Sequence, residues 1–418
     1  MLAHCSLLIA HCELLIVIVN DPVFGFIEVE EGLLRELLRH PVIARLTRIM
    51  QLGPTYYVYP GALHTRFAHS LGAMHLAGEA VKNLREKGVS VSAEDAEGVR
   101  AAMLLHDIGH GPMSHSLEGE FVDGLNHEQI TLLLMERLDG ELGGRLRRAI
   151  DIYTDRWSPS FLHELVSSQL DMDRLDYLCR DSFFTGVREG NIGVARILKM
   201  LDVRDDRLVV GRKGIYTIEN YLMARRLMYW QVYYHKTVIA ASEILLAALR
   251  RARELARAGR EIECSPQLRY FLVNKVDEAW RQEHPEWIEQ FLLLDDSDVI
   301  GAMKVWQQSQ DRVLRLLAND YTNRRLWKAE ELREPIDETD IAGLRREIAA
   351  RVGVSEAEAR YLVVYREIDQ MLYSTHADQI KFVMQDGRVM DIAELSELLT
   401  DSLSDKPSRR YYVFRHRC

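Results

Sequence analysis

The chain has 418 residues, 47% hydrophobic and 28% charged, with a formal net charge of −10. That length predicts two or three domains with a sizeable core, and the composition is that of an ordinary globular protein. The acidic balance argues against a dedicated nucleic-acid binder with a broad phosphate-tracking surface, while leaving room for a local basic pocket. Five scattered cysteines, Cys5, Cys12, Cys179, Cys264 and Cys418, show no CxxC spacing. They predict a reducing, cytoplasmic setting with no disulfide framework and no thiolate zinc site.

Residues 1–13 are apolar but lack a basic flank and a clear cleavage site, and His11, Cys12 and Glu13 interrupt the run. They read as a mobile or misassigned start in preference to a signal peptide, and no later segment could span a bilayer. Residues 14–30 predict two strands, LLIVIV and FIEVE, around an Asn20-Asp21-Pro22 turn. Short helices broken near Pro41 follow. A helix over 67–87 stops at Gly88, and Ser92 caps the next, which ends near Asp107. Asn126 and Gln129 form a capping pair for HEQITLLLMERL. Ser158-Pro159 opens a helix expected to run through FLHELVSSQLDMDRLDYLCRD. RLVVGRKGIYTI reads as a hairpin turning at Arg212-Lys213-Gly214, followed by one long helix from about Glu219 to Arg257.

Beyond residue 260, helical stretches are expected around 267–282, 297–318 and 340–350. KFVMQDGRVMDI reads as a hairpin turning at Asp386-Gly387, and RRYYVFRH as a terminal strand. The fold class is therefore mainly α, a helical core with small β-hairpins, plus an α+β C-terminal region. The expected boundary lies near Ala258-Gly259, giving domains 1–258 and 259–418.

The chemistry concentrates in LLHDIGHGPMSH, residues 104–115. His106 and Asp107 close a buried helix at Gly109 and Gly111-Pro112, where a turning backbone lets neighbours face one ion. Imidazole with carboxylate suits Mn, Fe, Zn and similar ions. Alone, such a pair reads more readily as a hydrogen-bonded cap than as a metal site. Upstream, GALHTRFAHSLG carries His64, Arg66 and His69, the last two sharing a helix face. Downstream, Asp171, Asp173, Asp176 and Asp181 crowd one apolar-period segment, with Asp173, Asp176 and Tyr177 on a common face. Buried carboxylates need cations; a solvated acidic face is the alternative. Arg225, Tyr229, Tyr233 and Lys236 recur at helical spacing, as either a ligand-facing row or an aromatic core stripe.

The order of these motifs resembles the HD-domain metal-dependent phosphohydrolases. QLGPTYYVYPGALHTRFAHSLG, HDIGHGPMSH, NHEQ and DMDRLDYLCRDSFFTG are similar to the dNTP triphosphohydrolase branch, from about Asn20 to Lys236. The resemblance implies a helical HD core holding one divalent metal ion (Mn, Fe, Mg, Zn and Ni not distinguished) on His69, His106, Asp107 and Asp173. It implies His110 as the proton donor, with Glu118 orienting it and His127-Glu128 as the adjacent pair. Substrate contacts would fall on Gln51, Leu52, Arg66, His115, Arg174, Tyr177, Asp181, Arg225 and Tyr233, with Tyr177 crowding the 2′ position and Asp181 taking the 3′-hydroxyl.

The implied reaction turns a deoxynucleoside triphosphate into deoxynucleoside and inorganic triphosphate, in a homo-oligomer by analogy. Hydrolysis of another nucleotide (a monophosphate or phosphodiester) and a non-catalytic nucleotide-binding scaffold are the rival assignments. A mammalian member of the branch is activated by guanine nucleotides through an Asp, a Gln and an Arg upstream of the QLG motif. The matching positions here are Arg39, Ala44 and Thr47. Alanine cannot hydrogen-bond a base, and Arg for Asp reverses the charge. No GTP activation through that site and no SAM domain are expected.

Overall fold

A computed structural model describes residues 16–370, 379–396 and 408–417. The reading of residues 1–13, and the first two residues of LLIVIV, lie outside the described residues. Strands β1 (Ile16–Asp21) and β2 (Gly25–Glu30) form an antiparallel hairpin. Asp21 shapes its turn by accepting the amides of Val23 and Phe24, both at 2.9 Å.

The helical core is built around α1 (Arg66–Glu86), which packs against α2 (Ala93–Leu105) and the later helix α4 (Met172–Thr185). Its N-cap is Thr65, and apolar side chains such as Leu71, Met74, Leu76, Val81 and Leu84 bury it nearly all round. Ser92 caps α2 as expected, and α3 (His127–Glu141) opens with the full Asn126–Gln129 capping box.

Three expectations change. The helix after Pro159 is not continuous: a turn at Phe161–Glu164 gives way to irregular backbone, and α4 begins only at Met172. Asp171 accepts the amides of Ser168 and Arg174, and Ser168 accepts that of Leu170. Such local side-chain bonds compete with helix continuation and make Asp171 a cap. The hairpin pairs β3 (Leu201–Arg204) with β4 (Arg207–Gly211), turning at Asp205-Asp206, which adopt φ of 50° and 58°. Two successive positive φ angles make the tight turn that matches strand twist; Arg212–Gly214 leads instead into a helix. The expected long helix is two: α5 (Ile215–Met228), one π-helical turn at Tyr229–Tyr233, then α6 (Lys236–Arg257), capped by His235.

Beyond α6, short helices include α7 (Asp296–Trp306), with further helical stretches at Pro266–Val273, Arg312–Thr322 and Glu338–Val352. Strands β5 (Lys328–Leu332), β6 (Val363–Gln370) and β9 (Ser408–Arg415) make a sheet in the order β5-β9-β6. Strands β7 (Lys381–Val383) and β8 (Val389–Asp391) form the expected hairpin, and β7 pairs in parallel with β4. The mainly α class with small sheets and a mixed C-terminal region holds. Among the described residues no helix is long and apolar enough to cross a membrane.

Candidate active site

Helix ends converge where α1, the end of α2 and the start of α4 meet. His69 projects from the first turn of α1, His106 and Asp107 from the end of α2, and Asp173 from the first turn of α4. The Nε2 atoms of His69 and His106 stand 3.2 Å apart, and Asp173 Oδ1 lies 3.0 Å and 3.5 Å from them. Asp107 adds Oδ1 at 3.4 Å from His106 Nε2 and Oδ2 at 3.6 Å from His69 Nε2.

This donor set fits a divalent ion. Metal bonds of about 2.1 Å put neighbouring donors roughly 3 Å apart, the spacing seen. The rings are also fixed from behind. His69 Nδ1 is 2.7 Å from Asp176 Oδ2, and His106 Nδ1 is 2.6 Å from the Met103 carbonyl. With Nδ1–H donating to those oxygens, both Nε2 lone pairs turn toward the cluster. Burial alone would lower the His69 pKa, but Asp173 and Asp176 outweigh it and carry it up to about 10. Buried carboxylates thus demand positive charge here, which a divalent cation supplies by displacing protons. Asp107 is pulled the other way: burial would raise it, and His106 and Arg66 hold it below the usual carboxylate range.

Four residues to which the resemblance gives no role support this cluster: Asp176, Arg180, Asp21 and Gly72. Asp176 is gripped by Arg180, Nε to Oδ2 at 2.9 Å and Nη2 to Oδ1 at 2.8 Å, and Arg180 continues to Asp21 Oδ2 at 2.7 Å. Gly72 on α1 leaves the room: a Cβ there would fall 1.9 Å from Asp176 Oδ1. Arg180 stands four residues after Asp176, a legible helical pair; Asp21, 159 positions away, is not.

A cavity of about 810 Å³ opens beside the cluster. Gln51, Leu52, Arg66, Asp107, His110, His115, Glu118, His127, Glu128, Asp173, Arg174, Tyr177, Asp181 and Tyr233 all line it. His110 stacks on His127, centroids 4.0 Å apart, with Nε2 3.5 Å from Asp107 Oδ1. Burial, reinforced by Arg66 and His115, holds its pKa well below the ordinary value. Glu118 is not directed at His110 as expected. Its carboxylate accepts from His115 Nδ1 at 3.0 Å and His127 Nδ1 at 2.5 Å. Those bonds keep Glu118 below the usual carboxylate range and leave its link to His110 indirect, through the stacked His127 ring.

Arg66 lines the cavity, but its guanidinium is committed to Asp107 Oδ2 at 2.5 Å and Ser114 Oγ at 2.9 Å. Arg174 Nε bonds the Ser168 carbonyl at 2.9 Å. Asp181 is held from both sides, by His64 Nε2 and by the Tyr233 hydroxyl, each at 2.7 Å. His64, two residues before Arg66, is a further positioning group that the motif itself contains. The Tyr177 hydroxyl and Gln51 Oε1 are buried without a hydrogen-bond partner. Arg225 does not line the cavity and bonds Gln169 Oε1 at 2.7 Å. Tyr229 and Tyr233 of the same row do line the cavity, and the π-turn between them shifts the helical spacing before Lys236, which does not. Of the positions matched to the nucleotide activator, Thr47 Oγ1 is taken by the Ala44 carbonyl at 2.6 Å.

The HD domain family matches residues 66–181, and the HD associated region 192–263. A crystal structure of a phosphohydrolase from Bacteroides thetaiotaomicron is 50% identical, with a TM-score of 0.93 over 96% of this chain and 100% of that one. The uncharacterized Bacillus subtilis protein YwfO is 30% identical over 401 residues, 93% of this chain and 89% of that protein. The human deoxynucleoside triphosphate triphosphohydrolase SAMHD1 is 31% identical over 263 residues, 52% of this chain but 42% of that protein.

Proposed function

The chain belongs to the HD-domain phosphohydrolases, metal-dependent enzymes, and from that premise we propose that it hydrolyses deoxynucleoside triphosphates to deoxynucleoside and inorganic triphosphate. The observation that carries this reading is the cavity's division of labour. Asp107 and Asp173 of the metal cluster line the cavity beside His110, His115 and His127, and Tyr177, Asp181 and Tyr233 line it too. Tyr177 and Gln51 bring buried polar atoms that lack partners, as expected where a sugar and base complete the hydrogen bonding.

A bound divalent ion supplies Lewis-acid polarisation of a phosphate oxygen. The protein's own residues do the rest. Arg174 and the guanidinium N–H groups that Arg66 does not spend on Asp107 and Ser114 meet the phosphate charge, with the His115 ring beside them. Asp181, fixed by His64 and Tyr233, accepts the 3′-hydroxyl, while the Tyr177 ring crowds the 2′ position. The bond between the α-phosphorus and O5′ breaks, a water oxygen ends on phosphorus, and His110 delivers a proton to O5′. The charge of the arriving triphosphate favours the protonated ring that this step requires.

The test is product analysis on a panel of the four dNTPs and their ribonucleotide counterparts, with Mn, Mg, Fe or no added metal. Triphosphate as the product, from deoxyribonucleotides in preference, is the expected outcome. Orthophosphate or pyrophosphate as the product sinks the reading, and equal turnover of ribonucleotides shifts it to another nucleotide hydrolysis.

A further inference from the structure

Two segments carry the substrate-facing residues on one side of the cavity: Met50–Gly53 with Gln51, and His110–His115. Gln51 N donates to His64 O at 3.0 Å and His110 N to Asp107 O at 3.1 Å, and both segments also lean on a residue far along the chain. Met113 and Ser114 both adopt left-handed backbone, φ 58° and 50°, in a chain position that glycine would hold more cheaply. Such a conformation persists only where contacts from elsewhere over-determine it.

One such contact comes from α7, outside both matched family segments. Asp296 is buried at 6% exposure, and each of its carboxylate oxygens accepts one main-chain N–H: Met50 to Oδ2 at 2.8 Å, Met113 to Oδ1 at 2.6 Å. The two segments are thereby pinned side by side. Ser114 Oγ then donates to the Met50 carbonyl at 2.7 Å and accepts Arg66 Nε at 2.9 Å, and Arg66 reaches on to Asp107. Packing is tight at this seam: a Cβ on Gly53 would fall 2.9 Å from the Met113 carbonyl oxygen. Buried Arg45 reinforces it, donating Nε to Leu294 O at 2.8 Å and Nη1 to His110 O at 2.9 Å.

Asp296 does nothing comparable for its own helix. The N-cap is Asp295, which accepts the Ser297 amide and forms a capping box with Asp298. The metal cluster is not hung on it either, since His69 and His106 are braced by Asp176 and the Met103 carbonyl. We propose that Asp296 is a positioning residue for catalysis: it sets Gln51, Arg66 and His115 around one substrate by clamping the Met50 and Met113 amides. The choice of substrate in the test rests on the deoxynucleotide reading; the clamp itself does not.

The test compares Asp296→Ala and Asp296→Asn with Asp298→Asn in the full-length protein. Asp298→Asn leaves one acceptor oxygen where two now serve the Asp295 amide and Gln267 Nε2, and it touches neither loop, so it reports what destabilising α7 alone does. Asp296→Ala should retain bound metal and lose about 10- to 100-fold in kcat/KM, since small misplacements of orienting groups carry that cost. Asp296→Asn should fall between, because its single amide oxygen can accept only one of the two N–H groups. Asp298→Asn should lower Tm and keep kcat/KM. Hydrogen exchange should accelerate at both the Met50 and Met113 amides in Asp296→Ala, at one of them in Asp296→Asn and at neither in Asp298→Asn, a readout that needs no substrate. The proposal is overturned if Asp296→Ala keeps its kcat/KM, if Asp298→Asn loses as much activity at matched Tm, or if the two amides stay protected. Failure of the wild type to release triphosphate would sink the substrate reading and leave the exchange result to decide the clamp.

Discussion

At the scale of single residues, twelve consecutive positions around His106-Asp107 divide by role according to what stands behind each ring. His106 is locked by the Met103 carbonyl with Nε2 facing the cluster, whereas His110 stacks on His127 and faces the cavity. His110→Ala should therefore keep the metal and lose turnover, whereas Asp107→Ala should lose both; metal analysis beside a rate measurement separates them. Glu118 gives a pH signature. Its hydrogen bonds from His115 and His127 depress its pKa, so its folded value lies below the ordinary carboxylate value of about 4.3. A depressed carboxylate contributes stability above its unfolded pKa and loses it as pH falls through the folded value. Glu118→Gln should therefore melt lower than wild type at pH 7, by less than about 1 kcal/mol for a half-exposed group, with the gap closing as pH falls below about 4. Melting curves of the two proteins at pH 7, 5 and 3.5 check it; a gap that widens on acidification contradicts it.

At the scale of elements, sequence shows helix starts better than helix interruptions. Ser92 and the Asn126–Gln129 box announce their helices because capping is a local exchange between a side chain and the next turn. The Asp386-Gly387 turn is legible for the same reason. The break before α4 rests on local Ser168 and Asp171 bonds within a segment whose apolar period suits a continuous helix, and the π-turn after α5 lies in an aromatic run of the same helical period. The site divides likewise. His69, His106, Asp107 and Asp173 sit in dense, ordered motifs, so their side chains can be picked out before any contact is known. Asp21, Arg45 and Asp296 cannot: they act across 159, 65 and 183 positions, two of them on main-chain atoms that leave no pattern in residue identity. One packing contact between elements makes a direct test. A methyl group on Gly72 of α1 collides with the Asp176–Arg180 pair of α4. Gly72→Ala should weaken metal affinity by about 10- to 100-fold, the usual loss when a ligand's supporting bond is disturbed, and calorimetric metal titration reads it.

At the scale of the whole molecule, the C-terminal third is woven into the helical core. Arg366 of β6 pairs with Glu243 of α6 at 2.6 Å on the cavity wall, Leu294 O accepts from Arg45, and Asp296 accepts the Met50 and Met113 amides. The motifs that resemble a known family end near Lys236, so sequence alone leaves these contributions without an assigned purpose.

The parallel pairing of β4 with β7 carries a consequence for how the protein is made. Val210 lies beside Phe382 and Gly211 beside Val383, partners separated by more than a third of the chain. A translating ribosome delivers the complete HD motif set long before Phe382 exists. During that interval β4 has only β3 beside it, and its outer edge is open to any strand that drifts past. Closing so long a loop is slow. The nascent protein is thus exposed to mispairing at that edge after its metal ligands are already in hand, and a chaperone has most to do at that moment.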